Sequence, residues 1–250
     1  LHKEYRRQRQ MCIRDSLYHS WLVGLILALI ARKGADIASE FVFRLFRRQH
    51  LEKFLPGLKK LGLNGLPHAV AAAKYHYFSN QLGGVKVEYY EEHERKAWIR
   101  YPPPRWIWAG PAICAIPREV NYSMLRGWHA HNGVSLNNPR LGFVCTKTTV
   151  DGRAGLEGYY FEFTHELDKE EKLQFAPDES CPFINAEALP RLDREEWPET
   201  RKAKAYRNYA MEYMKTALPL LVDLLGCDEG RRIGNTVSYP HLTLPTILLV

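Results

Sequence analysis

The sequence predicts an α+β fold in which an antiparallel sheet of two hairpins carries helices mainly on one of its faces. Three observations lead to this prediction. Apolar residues recur at helical spacing in the first third, they alternate with period two in two later segments, and a last long segment is helical again. The chain shows neither the long alternation of strands and helices nor the glycine-rich phosphate loops of α/β proteins.

Three helices account for the first third of the chain. A break at Gly34 separates the first from the second, and Pro56 followed by a glycine ends the second. The third helix begins with Pro67 in its first turn and ends at the glycine pair that starts with Gly83, as helix punctuation predicts. The predicted ranges are 17–32, 38–55 and 67–82.

A β-hairpin follows the third helix. Polar and apolar side chains alternate along 85–101, and the charged residues 92–95 mark its turn. Three consecutive prolines end the hairpin. We expect a further strand over 106–116 and then a helix over 118–128 that Pro117 opens.

The second hairpin has arms over 140–149 and 156–164, with an Asp-Gly turn at 151–152. The alternation predicts that two sets of side chains face the helices. These inward residues are Leu141, Phe143 and Cys145 on the first arm and Glu157, Tyr159, Phe161 and Phe163 on the second. With this register, replacing Phe161 by alanine should cost far more stability than replacing its neighbour Tyr160.

The remainder of the chain predicts a loop and one more long helix. An acidic, proline-bearing stretch over 168–198 is expected to be irregular and to cross the surface. Pro198 then opens the last long helix, which ends at Gly226. Tyrosines recur along one side of this helix at positions 206, 209 and 213, and we interpret them as core residues.

Both ends of the chain differ in character from the part between them. The stretches MCIRDS, residues 11–16, and VSYPHLTLPTILLV, residues 237–250, resemble translated sequencing-adapter read-through from assembled environmental DNA. Ends without a hydrophobic pattern contribute little to a core, so their removal should leave the melting temperature unchanged. We interpret 1–16 as a non-native leader, 17–236 as a single domain and 237–250 as a non-native tail.

The formal charge of +7 does not indicate a nucleic-acid partner. Residues 1–15 contribute +3 of it, from five basic and two acidic side chains, and the remaining +4 is spread over both halves. A nucleic-acid-binding protein normally clusters its basic residues on one face. The densest remaining basic run, residues 201–207, opens the last helix, and we interpret it as a solvated face.

Cysteine usage and hydropathy predict a cytoplasmic protein without a membrane span. The five cysteines show no CxxC spacing, so the sequence supports neither a disulfide framework nor a zinc ribbon. The apolar run WLVGLILALIA, residues 21–31, is shorter than the roughly 20 apolar residues that a bilayer span needs. We interpret this run as a buried helix.

The stretch richest in polar functional groups is RGWHAHNGVSLNNPRLGFVCT, residues 126–146. On a strand its two histidines would share one face and could grip a metal ion, but on a helix they point about 200° apart. We predict the helix, so no metal site is expected. Trp128 would then pack inward, and His131 would lie in the last turn, where the helix dipole favours a protonated ring.

Glu157 is the strongest candidate for chemistry in the second hairpin. A carboxylate on a core-facing row needs a partner, and two interpretations stay open: an ion pair with an arginine at the sheet edge, or a general acid or base. His131 would be its partner, and Cys145 is either an inert core thiol or a nucleophile. An arginine would hold a substrate carboxylate through a bidentate fork. The residues expected to bind substrate are Arg126, Trp128, Asn132, Asn137 and Arg140.

The chain resembles the L-2-amino-thiazoline-4-carboxylate hydrolase-like family. The features that carry this resemblance are the helical start, the histidine- and asparagine-bearing segment, and a strand of the type G-x-E-G-Y-Y-x-E-F at 155–163. They cover residues 17–235 in outline. The resemblance implies an activity that opens a cyclic C–N bond by hydrolysis.

These features lead to two functional hypotheses. The first is a hydrolase that acts on a small polar organic acid or heterocycle in a pocket between the second hairpin and the helices. The second is a non-catalytic domain that binds or senses a small ligand in the same pocket. The first requires the Glu157 carboxyl within about 8 Å of the His131 ring at one cavity; opposite sheet faces would favour the second. The sequence identifies no cofactor and is compatible with a homo-oligomer.

Overall fold

The computed structural model describes most of the chain. Backbone is described for residues 2–83, 85–102, 112–184, 189–190 and 198–247. For residues 2–16 and 238–247, and for a few single positions in other helices, the side chains lie outside the description. Among the helices described, none combines the length and apolar character that crossing a membrane requires.

Seven α-helices, five strands and two short 3₁₀ turns make up the described part. The helices are α1 His2–Lys60, α2 His68–Leu82, α3 Ala112–Ala115, α4 Arg118–Gly127, α5 Asn132–Ser135, α6 Glu199–Leu225 and α7 Cys227–Ile247. The strands are β1 Glu88–His93, β2 Lys96–Tyr101, β3 Leu141–Lys147, β4 Leu156–Glu162 and β5 Leu173–Phe175. The 3₁₀ turns are His129–His131 and Thr149–Asp151.

Most predicted helix boundaries are confirmed. Gly34 breaks α1 with φ 85° and ψ 170°, and Gly83 caps the C-terminal end of α2. Two boundaries differ: α1 begins at His2 and not at residue 17, and Pro56 lies inside α1 instead of ending a helix. Proline removes one backbone hydrogen bond from a helix, but Phe54 before it and Leu58 after it are both fully buried, and this packing offsets the loss.

The sheet is mixed and has five strands, so the predicted antiparallel sheet of two hairpins is only partly correct. Its order is β1-β2-β4-β3-β5. Both predicted hairpins are present as antiparallel pairs, and β2 joins them by pairing with β4. The fifth strand pairs parallel to β3. It comes from the stretch predicted to be irregular. The sequence did not reveal it because three residues are too few to show a period of two.

The strand predicted over 106–116 is wrong where it can be compared. Residues 112–115 form the short helix α3, and residues 103–111 lie outside the described part. Toward the end of the chain, α7 runs to Ile247 and so includes most of the segment for which we expected no pattern. Ile233 and Val237 of this helix are buried in the main core.

The two faces of the sheet are covered by different parts of the chain. Helix α2 packs on β1, β2 and β4. On the other face Trp98, Val144 and Tyr159 form a small second cluster, against which Ala176 and Cys181 of the long loop pack. The helices therefore lie on one face, and the loop after β4 shields the other.

The predicted register is correct for the first arm of the second hairpin and wrong for the second arm. Phe143 faces the helices as expected, but its partner across the strands is Tyr160, which is 0% exposed. Tyr159 and Phe161 point to the other face. The alternation did not show which row of β4 faces the helices, because aromatic side chains occupy both rows and both sheet faces are covered.

Gly158 allows β4 to approach β3 closely. A side chain there would lie 2.5 Å from the Val144 carbonyl oxygen and 2.6 Å from the Phe143 ring. Backbone and a core ring therefore take the space in which a side chain would lie.

We expect Tyr160→Ala to lower the free energy of unfolding by about 3–5 kcal/mol, because it removes a fully buried ring from the main core. The matched variant Phe161→Ala should cost clearly less, since this ring is only half-buried in the second cluster. Urea denaturation of both variants measures the difference. Equal losses, or a larger loss at Phe161, would contradict the observed register.

Candidate functional site

A cavity of about 390 Å³ lies between α1, α2, α6 and the C-terminal end of α4. This volume is within the range of small-molecule sites, which are mostly apolar and hold a few polar groups. Aromatic side chains from separate elements form much of its wall. They include Tyr75, His76, Tyr101, Trp128, His129 and Tyr209.

Helical periodicity explains why these side chains meet. On α2, Ser79 follows Tyr75 by four residues and His76 by three, so the side of the helix that carries Ser79 also carries both rings toward the cavity. On α6, Tyr209 and Tyr213 repeat at the same spacing. Both tyrosines pack against the main core, as predicted, and both also line the cavity. The side chain of the third tyrosine, at position 206, lies outside the described part.

Two buried imidazoles stack at the cavity wall. The rings of His76 and His129 have centroids 4.4 Å apart and lie within 17° of parallel. Each ring has a hydroxyl partner: Tyr101 lies 3.0 Å from Nδ1 of His76, and Tyr160 lies 2.7 Å from Nδ1 of His129. Which atom donates in each pair depends on the histidine tautomer.

Burial keeps this group of rings uncharged. Burial lowers the pKa of His129 to about 3, and it lowers the pKa of His76 far below its ordinary value, with the neighbouring histidines adding to the effect. Burial also raises the pKa of the Tyr101 and Tyr160 hydroxyls. At neutral pH the group therefore consists of neutral imidazoles and protonated phenols.

Several buried polar atoms around Trp128 have no hydrogen-bond partner among the described residues. They are Nε2 of His76, Nδ1 of His50 and the indole nitrogen of Trp128 itself. The rings of His50 and His76 lie 5.4 and 6.0 Å from that of Trp128. A buried polar atom without a partner costs about 1–3 kcal/mol, and native proteins contain few of them. Their concentration here points to a missing polar partner.

Trp128 and His131 were both expected to line the pocket, but only Trp128 is among the residues described at the cavity. Trp128 is half-buried and lines the cavity. His131 lies instead edge-on to His50, with ring centroids 5.1 Å apart. Burial, followed by the charges of Arg47 and Lys172, lowers the pKa of His131 to about 4. The expected protonated ring at the helix end is thus replaced by a neutral one.

Glu157 lies on the loop-covered face of the sheet, opposite His131 and the helices. It is 1% exposed, and its Oε1 accepts hydrogen bonds from Thr146 Oγ1 at 3.0 Å and from the backbone of Cys181 at 3.1 Å. Its ionic partner is Lys147, at 3.0 Å, in place of the arginines considered above. The structure does not bring this carboxylate together with His131 at one cavity.

Cys145 is on the helical face, so it is separated from Glu157 as well. Its side chain is buried among core residues, and its thiol lies 3.7 Å from the carbonyl oxygen of Lys147. Burial, with the charge of Asp151 adding to it, raises the pKa of this thiol to about 12. It is therefore a protonated thiol at neutral pH, whereas nucleophilic attack requires the thiolate.

The other expected substrate-binding residues lie away from the cavity. Arg126 is exposed, and Arg140 forms an ion pair with Glu162 at 3.0 Å. Asn137, with φ 52°, borders a separate open depression that Arg140 also lines. Asn132 is fully buried beside the Tyr160 hydroxyl, whose pKa its side chain lowers against the larger effect of burial.

The sequence contained weak signals for the residues that were missed. His76 lies in the run KYHYF of an otherwise alanine-rich helix, where polar rings interrupt an apolar pattern. The adjacent tyrosines 159 and 160 guarantee that one of them faces the helices. Within the described residues, no three histidine, cysteine or acidic side chains come together as metal ligands.

We expect the protein to lose stability as the pH falls from about 6.5 to about 4. Histidines of the unfolded chain gain protons near pH 6.5, whereas His50 and His129 resist protonation in the fold until the pH is about 3. Unfolding therefore takes up protons in this window, and the free energy of unfolding rises with pH across it.

Urea denaturation at a series of pH values gives the number of protons taken up, from the slope of the free energy against pH. The variant His129→Gln should reduce that slope by about one proton. A free energy of unfolding that does not change with pH across this window, or an unchanged slope in the variant, would show that the buried rings do not resist protonation.

Comparison of the chain with protein-family models, with curated proteins and with solved structures gives no match. The resemblance drawn from the sequence to the hydrolase-like family therefore stays a prediction.

Proposed function

We propose that the protein binds a small organic molecule in the cavity between α1, α2 and α6. The observation that carries this proposal is the imidazole of His76, which is buried at the cavity wall and whose Nε2 has no partner in the part of the chain that the structure describes. Such an atom is costly to bury, and a bound molecule would supply the hydrogen bond that the protein does not. The unpaired indole nitrogen of Trp128 adds a second group of the same kind.

The proposed site differs from the one expected from the sequence. The pocket was expected beside Glu157 and the second hairpin, but that carboxylate lies on the other sheet face. Its Oε1 contacts Thr146, Cys181 and Lys147, and its Oε2 has no partner among the described residues. The proposal therefore assigns ligand contact to His76, His129 and Trp128, of which only Trp128 was expected.

A second candidate function is hydrolysis of a cyclic C–N bond, as the family resemblance implies. The stacked imidazoles bear on this candidate because a general base must be unprotonated, as these rings are at neutral pH, and their lowered pKa makes them weak bases. In this step His129 would take a proton from water as the water oxygen bonds to the ring carbon. The C–N bond would then break as the ring nitrogen receives a proton from the imidazole.

We further propose a cytoplasmic location. The four cysteines with described environments, at positions 114, 145, 181 and 227, are all free thiols. Free thiols are usual where the surroundings are reducing.

The binding proposal is tested by a thermal-shift screen of small metabolites. We expect hits on the native chain to be lost in Ala205→Trp, because this alanine lines the cavity and an indole would fill it. The control is Ala203→Trp, two residues earlier on the same helix but exposed and away from the cavity. Hits that survive equally in both variants, or the absence of any hit, would refute binding in this cavity.

The hydrolase candidate is tested by incubation with 2-amino-thiazoline-4-carboxylate and related cyclic C–N compounds. Mass spectrometry should detect a product heavier by one water molecule. Turnover should fall at least ~100-fold in His129→Gln, a typical loss for a general base, and should persist in the exposed control His165→Gln. No product with the native chain removes this candidate and leaves the binding proposal standing.

A further inference from the structure

The charges around the cavity are confined to its exposed part. The charged side chains described at the cavity are Glu52, Lys53, Lys60 and Glu212. The first three are exposed and the last is half-buried. The fully buried wall residues are instead uncharged, and they include Tyr75, His76, Tyr101, Met124 and His129.

The charges at the exposed part also compensate one another. Two carboxylates and two ammonium groups line that part, and Lys53 of α1 lies 3.3 Å from Glu212 of α6. Glu52 pairs with Arg48 at 3.4 Å. The described residues thus offer no excess of either sign that would hold an ionic ligand.

The buried imidazoles do not supply a charge either. As shown above, burial lowers the pKa of His129 to about 3 and that of His76 still more strongly relative to its ordinary value. An ion placed against this wall would lose its hydration without gaining a counter-ion, which is very costly in a buried site.

The shape and chemistry of the wall favour a flat molecule with a polar edge. Tyr75 and Trp128 have rings within 18° of parallel, with centroids 6.5 Å apart, and aromatic walls pack best against flat rings. The indole nitrogen of Trp128 can only donate, whereas Nε2 of His76 donates or accepts according to its tautomer. A ligand that both accepts and donates would satisfy both atoms.

We propose that the cavity takes an uncharged aromatic or heteroaromatic molecule that carries a group able both to accept and to donate a hydrogen bond. This inference rests on the proposed function and specifies the ligand class for that site.

Three molecules of nearly equal size and shape test the ligand class: benzamide, benzoate and the benzamidinium ion. They are respectively neutral, anionic and cationic near neutral pH. We expect calorimetric titration of the full chain to show benzamide binding at least ~10-fold more tightly than either ion, because only the ions lose hydration without compensation. Benzamide binding should be lost in Ala205→Trp and retained in Ala203→Trp.

The outcomes separate this inference from the proposed function. If benzoate or benzamidinium binds as tightly as benzamide and Ala205→Trp abolishes it, the cavity is a ligand site but the uncharged class is wrong. The same holds if the screen finds only ionic compounds in the cavity while benzamide fails to bind. If neither the three probes nor the screen yields binding that Ala205→Trp removes, the proposed function fails and the inference fails with it.

Discussion

The contact between the Tyr160 hydroxyl and Nδ1 of His129, at 2.7 Å, joins the sheet to the helical layer, and the site depends on it. It lies within a continuous group of flat rings. Phe143 and Tyr160 belong to the sheet, His129 packs on both, and His76 of α2 stacks on His129. Because tightly packed, hydrogen-bonded groups constrain one another, these rings hold the cavity wall in one arrangement.

Neutrality is the physical consequence of that packing. A polar layer this deeply buried cannot carry an unpaired charge without a large loss of stability, so its histidines stay deprotonated and its tyrosines stay protonated. The ionic groups lie elsewhere. Glu157 is paired with Lys147 beneath the loop on the other sheet face, and Lys53 is paired with Glu212 where the cavity meets the surface. The buried part of the cavity wall, as far as the structure describes it, therefore carries polar groups but no charge.

Particular elements show how far the sequence could be interpreted. Helices α2, α4 and α6 begin directly after Pro67, Pro117 and Pro198, and both hairpins lie where alternation predicted them. The sequence did not show which row of β4 faces the helices, and it did not predict the parallel strand β5. Alternation defines two rows of a strand, and it identifies the buried row only when one row is polar. In β4 both rows carry tyrosines or phenylalanine.

The sequence by itself determined the fold class, most helix boundaries and the two hairpins, because caps, prolines and hydrophobic periods act over a few residues. Only the tertiary structure decided the site. His76, Tyr101, His129 and Tyr160 come from different parts of the chain, and no local pattern states that their rings meet. Glu157 and His131 were each plausible site residues from their local patterns, but no local pattern showed that the sheet lies between them. Which side chains converge depends on how whole elements pack, and that packing is set by contacts distant in sequence.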